Sequence, residues 1–384
     1  MISMKISYFI NIFVLGLTAF LIAACSATTK KVAADDISQS IKLKYATGFT
    51  INKANNYYLV KILTPYKGAK EPLTYVFYDK TNPPPKIPAD AYIKTPISSI
   101  VCTSTTHIPL LEYLGETAAL TGFPTLDYIS SAKVRARIDA NKVTELGMDE
   151  AINIEKLMEL NPDVVMGYSL TGDFGQFNQI AEAGIPVVLN AEYLEQHPLG
   201  RAEWIKLAGI LFDKIEKADS VFNVIEKQYL TIRKLVLETN TRPTVMSGIV
   251  YGDSWYLPGG KNYAAKILKE AGFTYLWAQD TSSAFLPLSF EAVYEQANQA
   301  DYWIGIGSFD SREALAKTDS RYQEFRPFQL HKIYSYNKRI GAKGGSEYLE
   351  LGYLRPDIIL QDLVKIGHPN LLPDYELYFY FQLP

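Results

Sequence analysis

Residues 213–238 read DKIEKADSVFNVIEKQYLTIRKLVLE, and the fold turns on them. Ile215, Ala218, Val221, Phe222, Ile225, Tyr229, Ile232, Leu235 and Val236 recur at intervals of three and four, which sets one apolar stripe along a helix. Lys, Glu, Asp and Asn fill the opposite face. Asp213 with Glu216 three residues on has the pattern of a capping box and marks the start. Asn240 and Pro243 mark the stop. With no Pro or Gly inside, the stretch predicts a helix about 40 Å long. Such a helix is either one long core helix or a rigid strut between two lobes, and its flanks decide for the strut.

Upstream, residues 97–102, 164–167 and 186–189 read as strands. Residues 107–114, 153–160 and 178–183 read as helices, with Gly115 and Gly184 as stops, and 199–212 is a further helix leading into the strut. Downstream, 244–251, 302–306 and 332–336 read as strands and 263–271, 289–297 and 358–366 as helices. Alternating short strands and helices predict a mostly parallel sheet covered on both faces. The expected fold class is therefore α/β: two similar three-layer lobes joined by one long rigid helix.

The lobes repeat one another locally. Asn153-Ile154-Glu155-Lys156-Leu157 leads to Asn161-Pro162-Asp163-Val164-Val165-Met166-Gly167. Ser289-Phe290-Glu291-Ala292-Val293 leads to Gln299-Ala300-Asp301-Tyr302-Trp303-Ile304-Gly305. Each run opens on a capping residue, places Glu two positions later, and passes through Asp into an apolar strand ending in Gly. Agreement in type, order and spacing makes this an internal repeat.

The chain begins with Lys5, an apolar run over residues 6–24, and then Cys25. That is the plan of a secretory signal with small residues before the cut. Ile22-Ala23-Ala24-Cys25 resembles a bacterial lipobox, which implies that Cys25 is lipidated and becomes the first mature residue. The alternative is an uncleaved membrane helix. Residues 26–40 are small and polar without a period, as in a tether. Residues 45–60 and 73–78 alternate like strands of a small antiparallel sheet, and Pro83-Pro84-Pro85 then breaks the chain. The expected organisation is a signal peptide over 1–24, a lipidated tether over 25–44, an N-terminal β addition over 45–95, a first lobe over 96–198, linking helices over 199–240, and a second lobe with its tail over 241–384. A net charge of −3 argues against nucleic acid as a partner. With Cys25 lipidated, Cys102 is left alone in an apolar run and reads as a small buried residue.

Two α/β lobes on one strut, behind a lipobox, resemble the substrate-binding lipoproteins of bacterial ABC importers, in the helical-backbone class that carries iron–siderophore complexes, haem or cobalamin. The carriers of the resemblance lie between Pro96 and Pro369: the run 153–165, Ala-Glu-Ala-Gly-Ile-Pro at 181–186, residues 198–209, Trp-Tyr-Leu-Pro-Gly-Gly-Lys at 255–261, residues 270–272 and residues 355–362. The resemblance implies a monomer on a lipid anchor at the extracytoplasmic side of the cell envelope. Its partners would be a small-molecule chelate and a permease dimer with its ATPase. It implies no enzyme activity and no resident cofactor. The cargo would be an iron chelate or, alternatively, cobalamin or haem.

In open α/β sheets, ligands meet the loops leaving the C-terminal ends of the strands. Residues 103–107, 168–174 and 253–260 are such loops here. They offer Tyr168, Trp255 and Tyr256, with Phe123 beside them, as flat faces for a large chelate. Ordinary packing is the competing explanation for each. An anionic chelate would also want a cation, for which Lys261, Lys343 and Arg355 are candidates. The resemblance further implies that Glu155 and Glu291 dock into Arg pockets on the two permease subunits. The competing role is a helix-dipole contact in a first turn.

Two other classes leave partial signs in the chain. Gly252-Asp253-Ser254 copies a nucleophile block of SGNH-type esterases, but no His lies three residues after an Asp. A bare-metal binding protein would use several His, and His107, His197, His331 and His368 are scattered, with only His107 at an expected cleft loop.

Overall fold

The computed structural model describes residues 37–148 and 151–384. Cys25, the signal segment and most of the tether lie outside the described residues. The long helix spans Ile215–Leu237, and Ala218, Phe222, Ile225, Tyr229, Ile232 and Val236 are its buried stripe. It packs against the helices Ile205–Leu211 and Pro356–Gly367. Its 23 residues make it about 35 Å long rather than 40.

The expected capping box is absent. Asp213 has φ +53°. Its N–H donates to Ile210 O at 3.2 Å, and the Lys214 N–H donates to Gly209 O at 2.7 Å. This pair of bonds is the Schellman closure of the preceding helix. Asp213 therefore ends one helix instead of opening the next. The expected single helix over 199–212 is likewise two, Pro198–Glu203 and Ile205–Leu211, meeting at the buried Trp204.

The first lobe is built on a parallel sheet in the order Val187–Leu189, Val164–Gly167, Ile100–Cys102, Leu120–Phe123, Thr144–Glu145. Its central strands are buried along their whole length, as a sheet covered on both faces requires. The second lobe has Thr274–Tyr275, Thr244–Met246, Tyr302–Ile304 and Ile333–Ser335 in parallel, closed by the antiparallel Phe381–Gln382. The expected strand over 244–251 breaks at Ser247-Gly248. Gly248 has φ +84°, and a Cβ there would lie 1.9 Å from the Tyr256 carbonyl oxygen, so only glycine fits. Beyond it the chain forms a separate antiparallel sheet of Ile249–Tyr251, Ser254–Pro258 and Phe285–Leu288.

The internal repeat has physical content. Asn153 caps the helix Ile154–Leu160 by accepting the Lys156 N–H, and Ser289 caps Phe290–Ala297 by accepting the Ala292 N–H. Asp163 accepts the N–H groups of Ser98 and Ser99 ahead of the strand Ile100–Cys102, and its own N–H donates to Ser99 Oγ. Asp301 accepts the N–H and hydroxyl of Thr244 at the head of Thr244–Met246, and its own N–H donates to Thr244 Oγ1. In both lobes the repeated Asp ties the start of its own strand to the start of the neighbouring one.

The N-terminal addition is a five-stranded sheet in the order Ile37–Ile41, Phe49–Ala54, Tyr57–Ile62, Leu73–Asp79, Ala91–Thr95. It is mixed rather than antiparallel, because its last two strands pair in parallel. Residues 37–41, expected in the tether, are a strand. The segment that follows is held by two buried carboxylates, one at the end of the first lobe and one in the linking helices. Glu203 accepts the N–H groups of Lys44, Tyr45 and Ala46, and Glu195 accepts those of Thr47 and Gly48. Glu195 also accepts Trp204 Nε1–H at 3.1 Å, and Glu203 pairs with the buried Lys206 at 2.9 Å.

The lobes also touch through the residues around Glu350. Buried Glu350 of the second lobe accepts the N–H groups of Ser130 and Ser131 of the first, at 2.7 and 2.9 Å. Just ahead of the helix Glu347–Leu351 that carries Glu350, Gly345 lies so close that a Cβ would be 2.1 Å from Tyr128 O. Arg355, chelated by Asp357, reaches across to the Tyr113 hydroxyl at 2.7 Å.

Candidate functional site

A cavity of about 550 Å³ opens between the lobes. The first lobe and linking region contribute Tyr193, Leu194, Glu195, Gln196 and Arg201, and the N-terminal sheet contributes Lys67. The second lobe contributes Ser247, Pro258, Tyr263, Ile304, Gly305, Tyr336, Tyr348, Tyr353 and Tyr380, with Phe285 beside them. Ser247, Gly305 and Tyr336 each follow directly on a parallel strand, and Tyr193 stands four residues beyond Leu189. The cavity thus sits at the C-terminal ends of the strands, as the rule for open α/β sheets demands.

Six tyrosines and Phe285 supply the flat faces of the wall. Tyr336 and Tyr348 stack with ring centres 4.4 Å apart. Burial raises the phenols of Tyr193, Tyr263, Tyr336, Tyr348 and Tyr380 above the ordinary tyrosine value. They therefore stay protonated near neutrality and present ring faces and O–H groups, not phenolates.

Arg201 is the charged centre of this wall. Its guanidinium lies 3.8 Å from the ring centre of Tyr263 and 4.5 Å from that of Tyr353. Nε donates to Glu195 O at 3.1 Å and Nη2 to Tyr193 O at 3.0 Å. These are neutral carbonyls, and among the described residues no carboxylate lies within ion-pair distance of Arg201, the buried Glu192 feeling it only from farther off. The single acid in the wall, Glu195, already accepts the Thr47, Gly48 and Trp204 N–H groups. With Lys67 at the rim, the cavity is aromatic and cationic.

The aromatic residues expected at the cleft stand elsewhere. Trp255 is fully buried. It stacks on Trp303 at 5.4 Å, meets Phe290, Tyr322 and Phe325, and donates Nε1–H to Ser247 O at 3.0 Å. It is a core residue with no face left for a ligand. Phe123 is also buried, at the end of the strand Leu120–Phe123. Tyr256 is exposed on the opposite face of its strand from Trp255, beside Tyr251. Tyr168 is half-buried, and neither it nor Tyr256 lines the cavity. The cleft aromatics leave strands that follow later in each lobe, so applying the strand-end rule to every strand would have reached Tyr193 and Tyr336. Tyr348, Tyr353 and Tyr380 come from tertiary packing and carry no local signal.

The other candidates are equally plain. Glu155 and Glu291 are exposed in the first turns of their helices. Glu291 also lies 3.4 Å from Arg321, which sits over the Phe290 ring. Arg355 bridges the lobes, Lys343 is exposed, and Lys261 lines a different recess. Gly252-Asp253 is the tight turn that pairs Tyr251 with Ser254, which explains the block without chemistry. His107 is fully buried, and burial lowers its pKa to about 3. Among the described residues no three His, Cys, Asp or Glu side chains are grouped to hold a metal ion. None of their helices is long and apolar enough to cross a membrane.

Comparison with known proteins agrees with this architecture. An uncharacterized lipoprotein of Methanocaldococcus jannaschii, MJ0878, is 25% identical over 299 residues, covering 76% of this chain and 70% of its own. A possible iron-binding periplasmic solute-binding protein of Staphylococcus epidermidis superposes with a TM-score of 0.56 at 16% identity, covering 71% of this chain and 100% of its own. The periplasmic heme-binding protein HutB of Vibrio cholerae superposes at 0.53 with 15% identity, covering 68% and 99%. These solved structures share the fold. The periplasmic binding protein model matches residues 100–336, from the first strand of one lobe to the cleft tyrosine after Ile333–Ser335 of the other, and the chain belongs to that family.

Proposed function

We propose that this protein is an extracytoplasmic lipoprotein that captures an anionic iron chelate between its lobes and delivers it to an ABC importer. The observation that carries the reading is Arg201, held between the rings of Tyr263 and Tyr353 without a carboxylate partner. An unpaired guanidinium in an aromatic pocket favours a ligand that is both flat and negatively charged. Ferric chelates with carboxylate or catecholate arms have that chemistry. Haem, with two propionates, and cobalamin are the alternatives for the same cavity. Family membership and the likeness to an archaeal lipoprotein support a place outside the cytoplasm. Cys25 is the proposed anchor, and Glu155 and Glu291 the proposed contacts with a permease dimer.

The test is titration of the purified protein with ferric catecholate and ferric carboxylate chelates, haem and cobalamin, followed by absorption and intrinsic fluorescence. The expected result is saturable binding of a ferric chelate that Arg201→Gln weakens by about 1.5–3 kcal/mol, the worth of a charge-assisted hydrogen bond. Equal affinity in the variant would remove Arg201 from the site. Glu155→Ala and Glu291→Ala should bind that ligand and melt normally, yet fail to stimulate the ATPase of the reconstituted importer. Full stimulation by the double variant would reduce both glutamates to first-turn dipole contacts.

A further inference from the structure

A second cavity lies behind the helix Tyr263–Glu270 that forms one wall of the cleft. Tyr263 and Ile267 face the cleft, whereas Lys266 and Lys269 line this recess of about 620 Å³. Gln196 borders both cavities. Arg233 from the long helix, Arg242 beyond its end, and Lys261 before the cleft helix complete the set. Five cations from three stretches of chain thus converge in a protein whose net charge is −3.

None of the five makes an ion pair among the described residues. Arg242 is held by the carbonyl oxygens of Thr239, Thr241 and Val236. The one carboxylate in the lining, Glu270, is engaged by the Tyr229 hydroxyl at 2.6 Å. The long helix and the cleft helix both end here, and each contributes about half a negative charge. Those ends account for one cation and Glu270 for another, and about three positive charges remain unbalanced. Arg233, Arg242, Lys261 and Lys269 are exposed and Lys266 is half-buried, so water screens them, but their convergence makes the recess a patch of positive potential that favours an anion. His197 lies within their reach: its pKa is lowered to about 4, by burial first and by Lys266 and Arg233 after it, with Glu270 and Glu203 opposing them.

We propose that this recess is a binding site for a phosphate-bearing polyanion, separate from the ligand cleft. Three excess charges suit a multiply charged group, and lysines with arginines are the usual phosphate set. The group could belong to a phospholipid headgroup or to a soluble phosphate compound, and the test has an arm for each.

Inorganic pyrophosphate is titrated calorimetrically into the protein, and the protein is sedimented with phosphatidylcholine vesicles with and without phosphatidylglycerol. The same is done with Lys266→Glu/Lys269→Glu, and separately with Arg233→Gln. The expected result is binding in at least one arm that falls about tenfold or more in the double variant and weakens steeply with salt. Pyrophosphate binding alone assigns the recess to a soluble phosphate. Loss confined to the anionic vesicles assigns it to the membrane surface. Melting temperatures and cleft-ligand affinity, measured on the same samples, show that the variants are folded. Binding in neither arm, or binding that the charge reversal leaves unchanged, overturns the proposal.

Discussion

Trp255 shows how a residue's neighbours decide its role. It is packed among Trp303, Phe290, Tyr322 and Phe325 and is fully buried. Trp255→Ala should therefore act on the fold, destabilising it by about 3–5 kcal/mol. A shift of that size in the denaturant midpoint is the expected outcome. An unchanged midpoint with lost ligand affinity would return Trp255 to the binding surface. The hairpin was not recognisable as such in the sequence, because residues 244–251 read as one strand. The break at Gly248 starts a new sheet, and its register, with Trp255 opposite Val250 and Leu288, turns the indole inward and Tyr256 outward. A period of two fixes which residues share a face, but not which face is the core.

At the scale of elements, the repeated aspartates make the most direct prediction. At Asp163 partial burial opposes ionisation, but hydrogen bonds from Ser98 and Ser99 outweigh it and hold the carboxyl below its ordinary range. At Asp301 burial is likewise outweighed, by Thr244 and Arg326. A carboxyl whose folded pKa lies below its unfolded value contributes stability above the unfolded value, about 4, and loses it as pH falls through the folded value. Melting temperature should thus drop on acidification below about pH 4, and Asp163→Asn or Asp301→Asn should flatten that drop. The carboxylate clamp on residues 44–48 gives a second outcome. Glu203→Ala leaves Lys206 buried with only Asp219 as its partner and frees three N–H groups. A loss of about 3–5 kcal/mol is expected, with faster proteolysis between the N-terminal sheet and the first lobe. Strands and helices were legible wherever a strong apolar period met a Gly stop, as in Val164–Gly167 or the helix before Gly272. The clamp was not, because it joins residues about 150 positions apart with no local pattern.

The lobes are tied first by the long helix, second by the Glu350 contact with Ser130 and Ser131, and also by Arg355, which bonds Tyr113 and Gln228. Burial pushes the Glu350 carboxyl up to about 7, against which its hydrogen bonds work. A raised folded pKa means that its stabilisation is complete below the unfolded value, about 4.3, and is lost as pH rises through about 7. Glu350→Gln should remove that part of the decline, read as a smaller fall in melting temperature between about pH 5 and about pH 8. With Glu350 and Arg355 bridging the lobes beside the long helix, scattering profiles with and without ligand should nearly coincide. A wide change in radius of gyration would show that the second tie opens.

The close seating of Gly345 on Tyr128 also bears on time. If that seating holds the lobes in place, an arriving molecule meets a cavity that asks no slow rearrangement. Capture should then be a single encounter step, its observed rate rising in a straight line with ligand concentration and never reaching a plateau. Retention and release would be set by dissociation from the tyrosine wall, so emptying the cavity quickly would require the two lobes to be pulled apart.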